Sequence, residues 1–138
     1  MGIPIYPPPL DDALARPFYD GLAAGELRIT ADPETGQWVW YPPDVVPGKP
    51  GSTLEWRRVG PDGTAYSFTT VMRSLLPGDH KDEVPFTVVL FEPDDAPGVR
   101  VPGLLVEAGD RVPACGMRLR LRPVQAGDHI VAGFTPIN

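Results

Sequence analysis

The chain has 138 residues, a single cysteine and a formal charge of -6 from 12 basic and 18 acidic side chains. That length suits one hydrophobic core with a modest extension, since domains commonly run to about 100–150 residues. Cys115 has no partner within the chain, so an internal disulfide is excluded, and the acidic balance opposes unaided approach to a phosphate backbone.

The first ten residues, Met1 to Leu10, are proline-rich and read as an extended segment lying on a surface. No positive charge precedes an apolar run there, and no stretch approaches the roughly 18 apolar residues of a spanning helix. The expectation is a soluble, cytoplasmic protein with neither a membrane nor a nucleic acid as partner. Asp11 to Leu27 reads as the one helix: Leu14, Phe18, Leu22 and Leu27 recur at near-helical spacing, and Asp11 and Asp12 stand where an N-cap favours carboxylates. Pro17 inside it implies a late start or a kink. A helix so short needs a surface to pack on.

Glu26 to Thr30 and Gln37 to Tyr41 predict a small hairpin around Ala31-Asp32-Pro33-Glu34-Thr35-Gly36. Pro42 to Ser52, with four prolines and two glycines in eleven residues, is a loop. Six strands follow: Leu54 to Val59, Thr64 to Met72, Phe86 to Glu92, Val99 to Val106, Met117 to Pro123 and His129 to Phe134. Turn chemistry bounds each, with Pro61-Asp62-Gly63 the clearest hairpin, then Leu76-Pro77-Gly78-Asp79, Pro93 to Gly98, Gly109-Asp110 and Ala126-Gly127-Asp128. With 19 prolines and 15 glycines keeping elements short, this is a mainly β chain. Strands at this spacing close into a small barrel of five to six strands. Met117 to Arg122 alternates strictly, as a strand with one wet face does.

The order of these pieces resembles a known family. An amphipathic helix containing Pro17-Phe18-Tyr19-Asp20-Gly21-Leu22 leads to a hairpin, then Gly51-Ser52-Thr53-Leu54-Glu55-Trp56 and Gly63-Thr64-Ala65-Tyr66-Ser67-Phe68-Thr69. Val84-Pro85-Phe86 and Gly116-Met117-Arg118-Leu119 complete the pattern. Over nearly the whole chain this is similar to the acyl-CoA-associated zinc-ribbon plus OB-fold family, first catalogued as domain of unknown function thirty-five. The resemblance implies three parts: an N-terminal extension and helix over 1–27, a ribbon-like hairpin over 28–52 and an OB-fold barrel over 53–138.

In that family the hairpin is a zinc ribbon with two C-x-x-C pairs. Laid on this chain, the ligand positions fall at Asp32, Thr35, Pro47 and Pro50, with the spacing kept and no cysteine present. Zinc in such a site needs four donors in a tetrahedron, and proline has no side-chain donor. The expectation is a degenerate hairpin without zinc or other cofactor.

Catalysis by the chain alone has little support. His80 and His129 each lie beside a turn aspartate, and no nucleophile elbow or phosphate loop is present. Asp94 and Asp95, neighbours in a turn, point apart; Cys115 reads as a small buried or half-buried thiol. Arg57, Arg58 and Arg73 are of the kind that meets CoA phosphates, and equally of the kind that keeps a surface soluble.

The aromatics Trp38, Trp40, Trp56, Tyr66, Phe68 and Phe86 suit core or interface packing better than base stacking, because no basic groove accompanies them. The resemblance implies a non-catalytic subunit in a hetero-oligomer with a thiolase-like enzyme acting on acyl-CoA thioesters, foremost a retro-aldol carbon-carbon lyase of steroid side-chain degradation. An acyltransferase complex, a free-standing ligand binder and a single-strand binder are the alternatives. Contacts to the partner or its acyl-CoA channel are assigned to Trp38, Trp40, Tyr66, Phe68, Met72, Arg73 and Phe86.

Overall fold

The computed structural model describes residues 8–75, 78 and 80–138. Most of the proline-rich start, and Leu76, Pro77 and Asp79 of the expected turn, lie outside the described residues.

The helix is shorter than its apolar spacing suggests. α1 runs Arg16–Ala23, with proline in its first turn, where the missing N–H has no intrahelical partner to lose. Pro17 therefore marks a late start, not a kink. Asp11 and Asp12 do not cap it: the N-cap is Ala15, and Asp12 instead closes the preceding turn, its side chain accepting Leu14 N–H at 2.9 Å. Gly25, at φ 78°, ends the helix. Its N–H donates to the Leu22 carbonyl and that of Glu26 to the Gly21 carbonyl, the paired bonds of a Schellman stop. Leu27 consequently opens a strand. Phe18 and Leu22 bury the helix against that strand, while Leu14 is exposed.

β1 (Leu27–Ala31) pairs antiparallel with β2 (Trp38–Val39), the expected hairpin in register Thr30 to Val39 and Ala31 to Trp38. On its other side β1 pairs with β3 (Glu55–Val59), from Leu27 opposite Val59 to Ala31 opposite Glu55. This ladder crosses the expected boundary at 52/53 and takes Leu54 to Val59 out of the barrel. The stretch at Pro61-Asp62-Gly63 is accordingly not a hairpin. Asp62 and Gly63 already belong to β4 (Asp62–Val71) and face Arg120 and Leu119.

The barrel closes through β4, β5 (Phe86–Pro93), β6 (Val101–Leu105), β10 (Gly133–Pro136) and β7 (Arg118–Leu121), β7 returning to β4. All neighbours are antiparallel except β10 and β6, which run parallel. Five strands whose third and fifth lie parallel make the OB-fold. β8 (Val124–Ala126) and β9 (His129–Val131) form a separate hairpin, so the expected strand His129 to Phe134 is two. It breaks where Gly133 passes Arg122: an added Cβ would sit 2.5 Å from the Arg122 carbonyl oxygen.

Inside the barrel Phe91 and Phe134 stack, ring centroids 4.2 Å apart and planes at 14°. Two glycines clear their space. A Cβ on Gly63 would stand 2.7 Å from the Phe91 ring, and one on Gly103 would stand 2.4 Å from the Phe134 ring. The same apolar cluster takes in Phe18 and Leu22 of α1, Leu27 and Ile29 of β1 and Val59 of β3. Helix, hairpin sheet and barrel thus share one core.

Candidate functional site

Where the end of β2 meets α1 and the barrel, five aromatic rings cluster around Trp40 and Phe18. Trp40 lies 5.1 Å from Phe18, 5.3 Å from Tyr41 and 6.3 Å from Trp56, and Phe18 meets Tyr19 edge-on at 5.1 Å. Phe18, Tyr19, Trp40 and Tyr41 form one wall of a cleft of about 310 Å³. Val88 and Leu104, directly opposite each other on β5 and β6, form the other wall with Pro102 and Val131. Such a volume lies at the small end of ligand pockets.

The polar side-chain groups there are the two phenols and the Trp40 indole N–H. Burial, then the neighbouring Tyr41, holds the Tyr19 phenol above its ordinary value. Tyr41 is raised by burial and then by the charge of Asp12. Both are neutral hydrogen-bonding groups at pH 7, and no carboxylate, imidazole, amine or thiol lines the cleft among the described residues. The arrangement suits the binding of an apolar group.

A second surface runs along β4 and beyond it. Tyr66 and Phe68 are exposed, Met72 is 72% exposed and Leu75 90% exposed. The Arg100 guanidinium lies 3.7 Å over the Tyr66 ring, holding that ring flat under a cation. Apolar side chains displayed this far from water's preference mark a contact face more often than a lone exposed leucine does.

The structure therefore divides the residues assigned from sequence. Trp40 lines the cleft and also, with Trp38, a neighbouring groove that includes Pro97, Gly98 and Val99. Tyr66, Phe68, Met72 and Arg73 are exposed along β4 and just past it, and Phe86 is half-buried opposite Val71. Trp56 packs on Trp40. Phe18, Tyr19 and Tyr41 were missed as cleft residues. Phe18 and Tyr19 stand as an aromatic pair on a helix, a signal for core packing, and only the docking angle of α1 turns one side of that pair toward a cavity.

The arginines of β7 and β3 are engaged in ion pairs. On β7, Arg118 makes a forked pair with Asp94 at 2.8 and 2.6 Å and Arg120 pairs with Asp62 at 2.7 Å; just past it, Arg122 pairs with Glu107 at 3.2 Å. The wet face read from sequence is thus a ladder of neutralised pairs and offers phosphate no continuous cationic track. The arginine partners hold the Asp62 and Asp94 carboxyls below their ordinary value. Asp94 and Asp95 do point apart, Asp95 accepting Gly60 N–H at 2.8 Å. Arg57 pairs with Glu55 at 2.8 Å, and Arg58 lies 3.6 Å from Glu26.

His80 hydrogen-bonds Glu83, which the short 3-10 turn Lys81–Glu83 brings back toward it. His129 borders a groove with Leu10, Tyr19 and Asp20. Cys115 is exposed, contrary to the half-buried expectation, because it sits in the turn before Gly116, whose φ of 85° swings the chain into β7.

Of the four ribbon positions only Asp32 and Thr35 carry polar side chains. The buried Asp32 carboxylate accepts Glu34 N–H at 2.9 Å and the Thr35 hydroxyl at 3.1 Å, and lies 2.6 Å from Lys49 Nζ. The Lys49 hydrogen bond first, and the Glu34 amide second, lower the Asp32 carboxyl to about 2. These residues do not fit zinc: Pro47 and Pro50 supply no donor, and both Asp32 oxygens are already engaged. Among the described residues no group of three or more His, Cys, Asp or Glu side chains stands ready to hold a metal. No helix among them is long and apolar enough to cross a membrane.

No family model and no curated protein matches this sequence. Solved structures do. A structure described as the Ltp2-ChsH2(DUF35) aldolase is similar with a TM-score of 0.78 at 18% identity, covering 94% of this chain and 98% of that one. A protein of unknown function from the DUF35 family of Sulfolobus solfataricus is similar with a TM-score of 0.56 at 9% identity, covering 91% and 87%. The chain therefore has the fold of DUF35 structures: a mainly β OB-fold barrel with a preceding helix and hairpin.

Proposed function

We propose that this chain is a non-catalytic subunit of an aldolase complex, working against a larger, thiolase-like partner that carries the chemistry on an acyl-CoA thioester. The observation that carries the reading is the extent of the likeness to the Ltp2-ChsH2(DUF35) aldolase. With 94% of this chain and 98% of that one covered, the likeness extends over nearly the whole of both chains and not over a shared barrel alone. The site's chemistry supports it. The cleft has aromatic and aliphatic walls with two neutral phenols, suited to positioning an apolar group beside a partner's reactive centre. The exposed run Tyr66, Phe68, Met72 and Leu75 suits a protein contact.

In this reading the partner supplies nucleophile and proton transfer for carbon-carbon cleavage, and this chain stiffens the wall of the acyl channel. A steroid side chain as the acyl group is the substrate class we propose first. Acyl transfer by a thiolase-type partner is the second reading, favoured by the same apolar cleft and distinguished only by the reaction.

Co-expression with a thiolase-like protein encoded beside it is the test. The expected outcome is a co-purifying complex in which retro-aldol turnover of a β-hydroxyacyl-CoA requires this chain. A chain that stays monomeric by light scattering beside that protein, leaving its turnover unchanged, overturns the proposal.

A further inference from the structure

The turns of residues 32–36 and 46–52 contain no strand and share no ladder. Among the described residues, the polar side-chain contacts that join them run through Lys49, whose Nζ lies 2.6 Å from Asp32 Oδ2 and 3.4 Å from Glu34 Oε2. We propose that Lys49 is an internal cation that clasps these two turns and makes a metal unnecessary for the shape of the hairpin. This stands independently of the subunit reading.

Both ends of the clasp are organised before they meet. On the first turn the Asp32 side chain, 4% exposed, is pinned by Glu34 N–H and the Thr35 hydroxyl. Its own backbone N–H donates to the Gln37 carbonyl, and its carbonyl accepts Gly36 N–H, both at 2.8 Å. On the second turn Lys49 N–H donates to the Val46 carbonyl at 2.9 Å. The Ser52 hydroxyl donates to the Lys49 carbonyl at 2.6 Å while accepting Val46 N–H at 2.9 Å. Val46 itself is buried. An ordinary exposed ion pair gains little because two long side chains must be ordered to make it. Here the carboxylate is already fixed and the lysine stem starts from a fixed backbone.

Chemistry favours a cation at this place. A buried carboxylate needs a positive partner or further donors, and an ammonium supplies three donors with one charge. Glu34 adds a second carboxylate to the same ammonium. From β3, Arg57 approaches the first turn, with Nη1 3.5 Å from where a Gly36 Cβ would stand, but its guanidinium is paired with Glu55. Lys49 is the cation that reaches Asp32.

Thermal unfolding of the full chain tests this with Asp32→Asn, Lys49→Met, the double variant and Lys49→Arg. Each of the first two is expected to lower the midpoint by roughly 3 to 8 °C, because each leaves a polar group of the clasp unpaired. The double variant should fall no further than the worse single, since the two residues act as one unit. Lys49→Arg keeps the cation and should retain most of the midpoint. On the unaltered chain, zinc and EDTA should each leave the midpoint within about 1 °C, the behaviour of a fold without a linked metal. Additive single effects, a Lys49→Arg variant as weak as Lys49→Met, or a midpoint that rises with zinc or falls with EDTA each overturns the proposal. The metal arm needs no variant, so the test survives a variant that does not fold.

Discussion

The closed barrel and the hairpin sheet share an apolar cluster, yet their outer parts are held by different means. The barrel surrounds a stacked Phe91–Phe134 pair with a ladder that returns on itself. The hairpin's far end, residues 32–52, has only Val46 and Pro42 among its buried apolar side chains and depends on turns joined through Asp32 and Lys49. Apolar burial is non-directional and indifferent to pH, whereas a charged clasp depends on protonation and on two specific residues. The comparison teaches that one small chain can give shape by packing in one region and by polar organisation in another.

The largest effect should come from the barrel. Phe91→Ala removes one ring of the stacked pair and should lower unfolding free energy by about 3–5 kcal/mol, read by urea titration of the circular dichroism. A loss near that of a surface substitution would break the contrast outright. Gly103→Ala probes the same pair from outside: the added methyl meets the Phe134 ring, and overpacking should cost about 1–3 kcal/mol in the same titration.

At the junction of the two regions, Trp40→Ala should leave the barrel folded and weaken binding to the proposed partner by about 2 kcal/mol, roughly 30-fold in Kd, measured by calorimetry on the complex. Equal losses of barrel stability and partner affinity would move Trp40 from contact to core.

Acid should separate the regions next. Asp32 titrates near 2 in the folded chain, below its ordinary 3.8, so its stabilisation is complete above about pH 4 and is lost as the pH falls toward 2. Asp62 and Asp94 are lowered too, so all three contribute in the same direction. The difference between the wild-type and Asp32→Asn acid-unfolding curves isolates the clasp: it should be widest near neutrality and close below pH 3. Smallest of all, Arg118→Ala breaks an exposed pair on β7 and should move the thermal midpoint less than any core variant.

Much of this architecture is legible along the chain. Alternation from Met117 to Arg122 and the runs at Thr64 to Met72 and Phe86 to Glu92 announce barrel strands, since a side-chain period of two survives without knowledge of neighbours. Pro47 and Pro50 can be counted as unable to hold zinc through a side chain from their identities, whereas Asp32 is engaged only in the fold. Lys49 could have been suspected as a cation between two prolines, but nothing local says that its ammonium reaches a buried carboxylate seventeen positions away. The partner of Leu54 to Val59 was misjudged for the same reason. Its pattern is that of any short strand, and Pro61-Asp62-Gly63 has turn chemistry whether it closes a hairpin or feeds a bend between sheets.

By itself, then, the sequence determined the mainly β class, the one α-helix of the described residues and most of the strands, because residue type and short-range periodicity are local properties. The tertiary structure alone decided that β3 joins β1, that the assigned aromatics divide between a cleft and an exposed strand, and that Lys49 meets Asp32. Those outcomes depend on which surfaces come together when the core closes, and long-range pairing of that kind leaves no periodic trace in the chain.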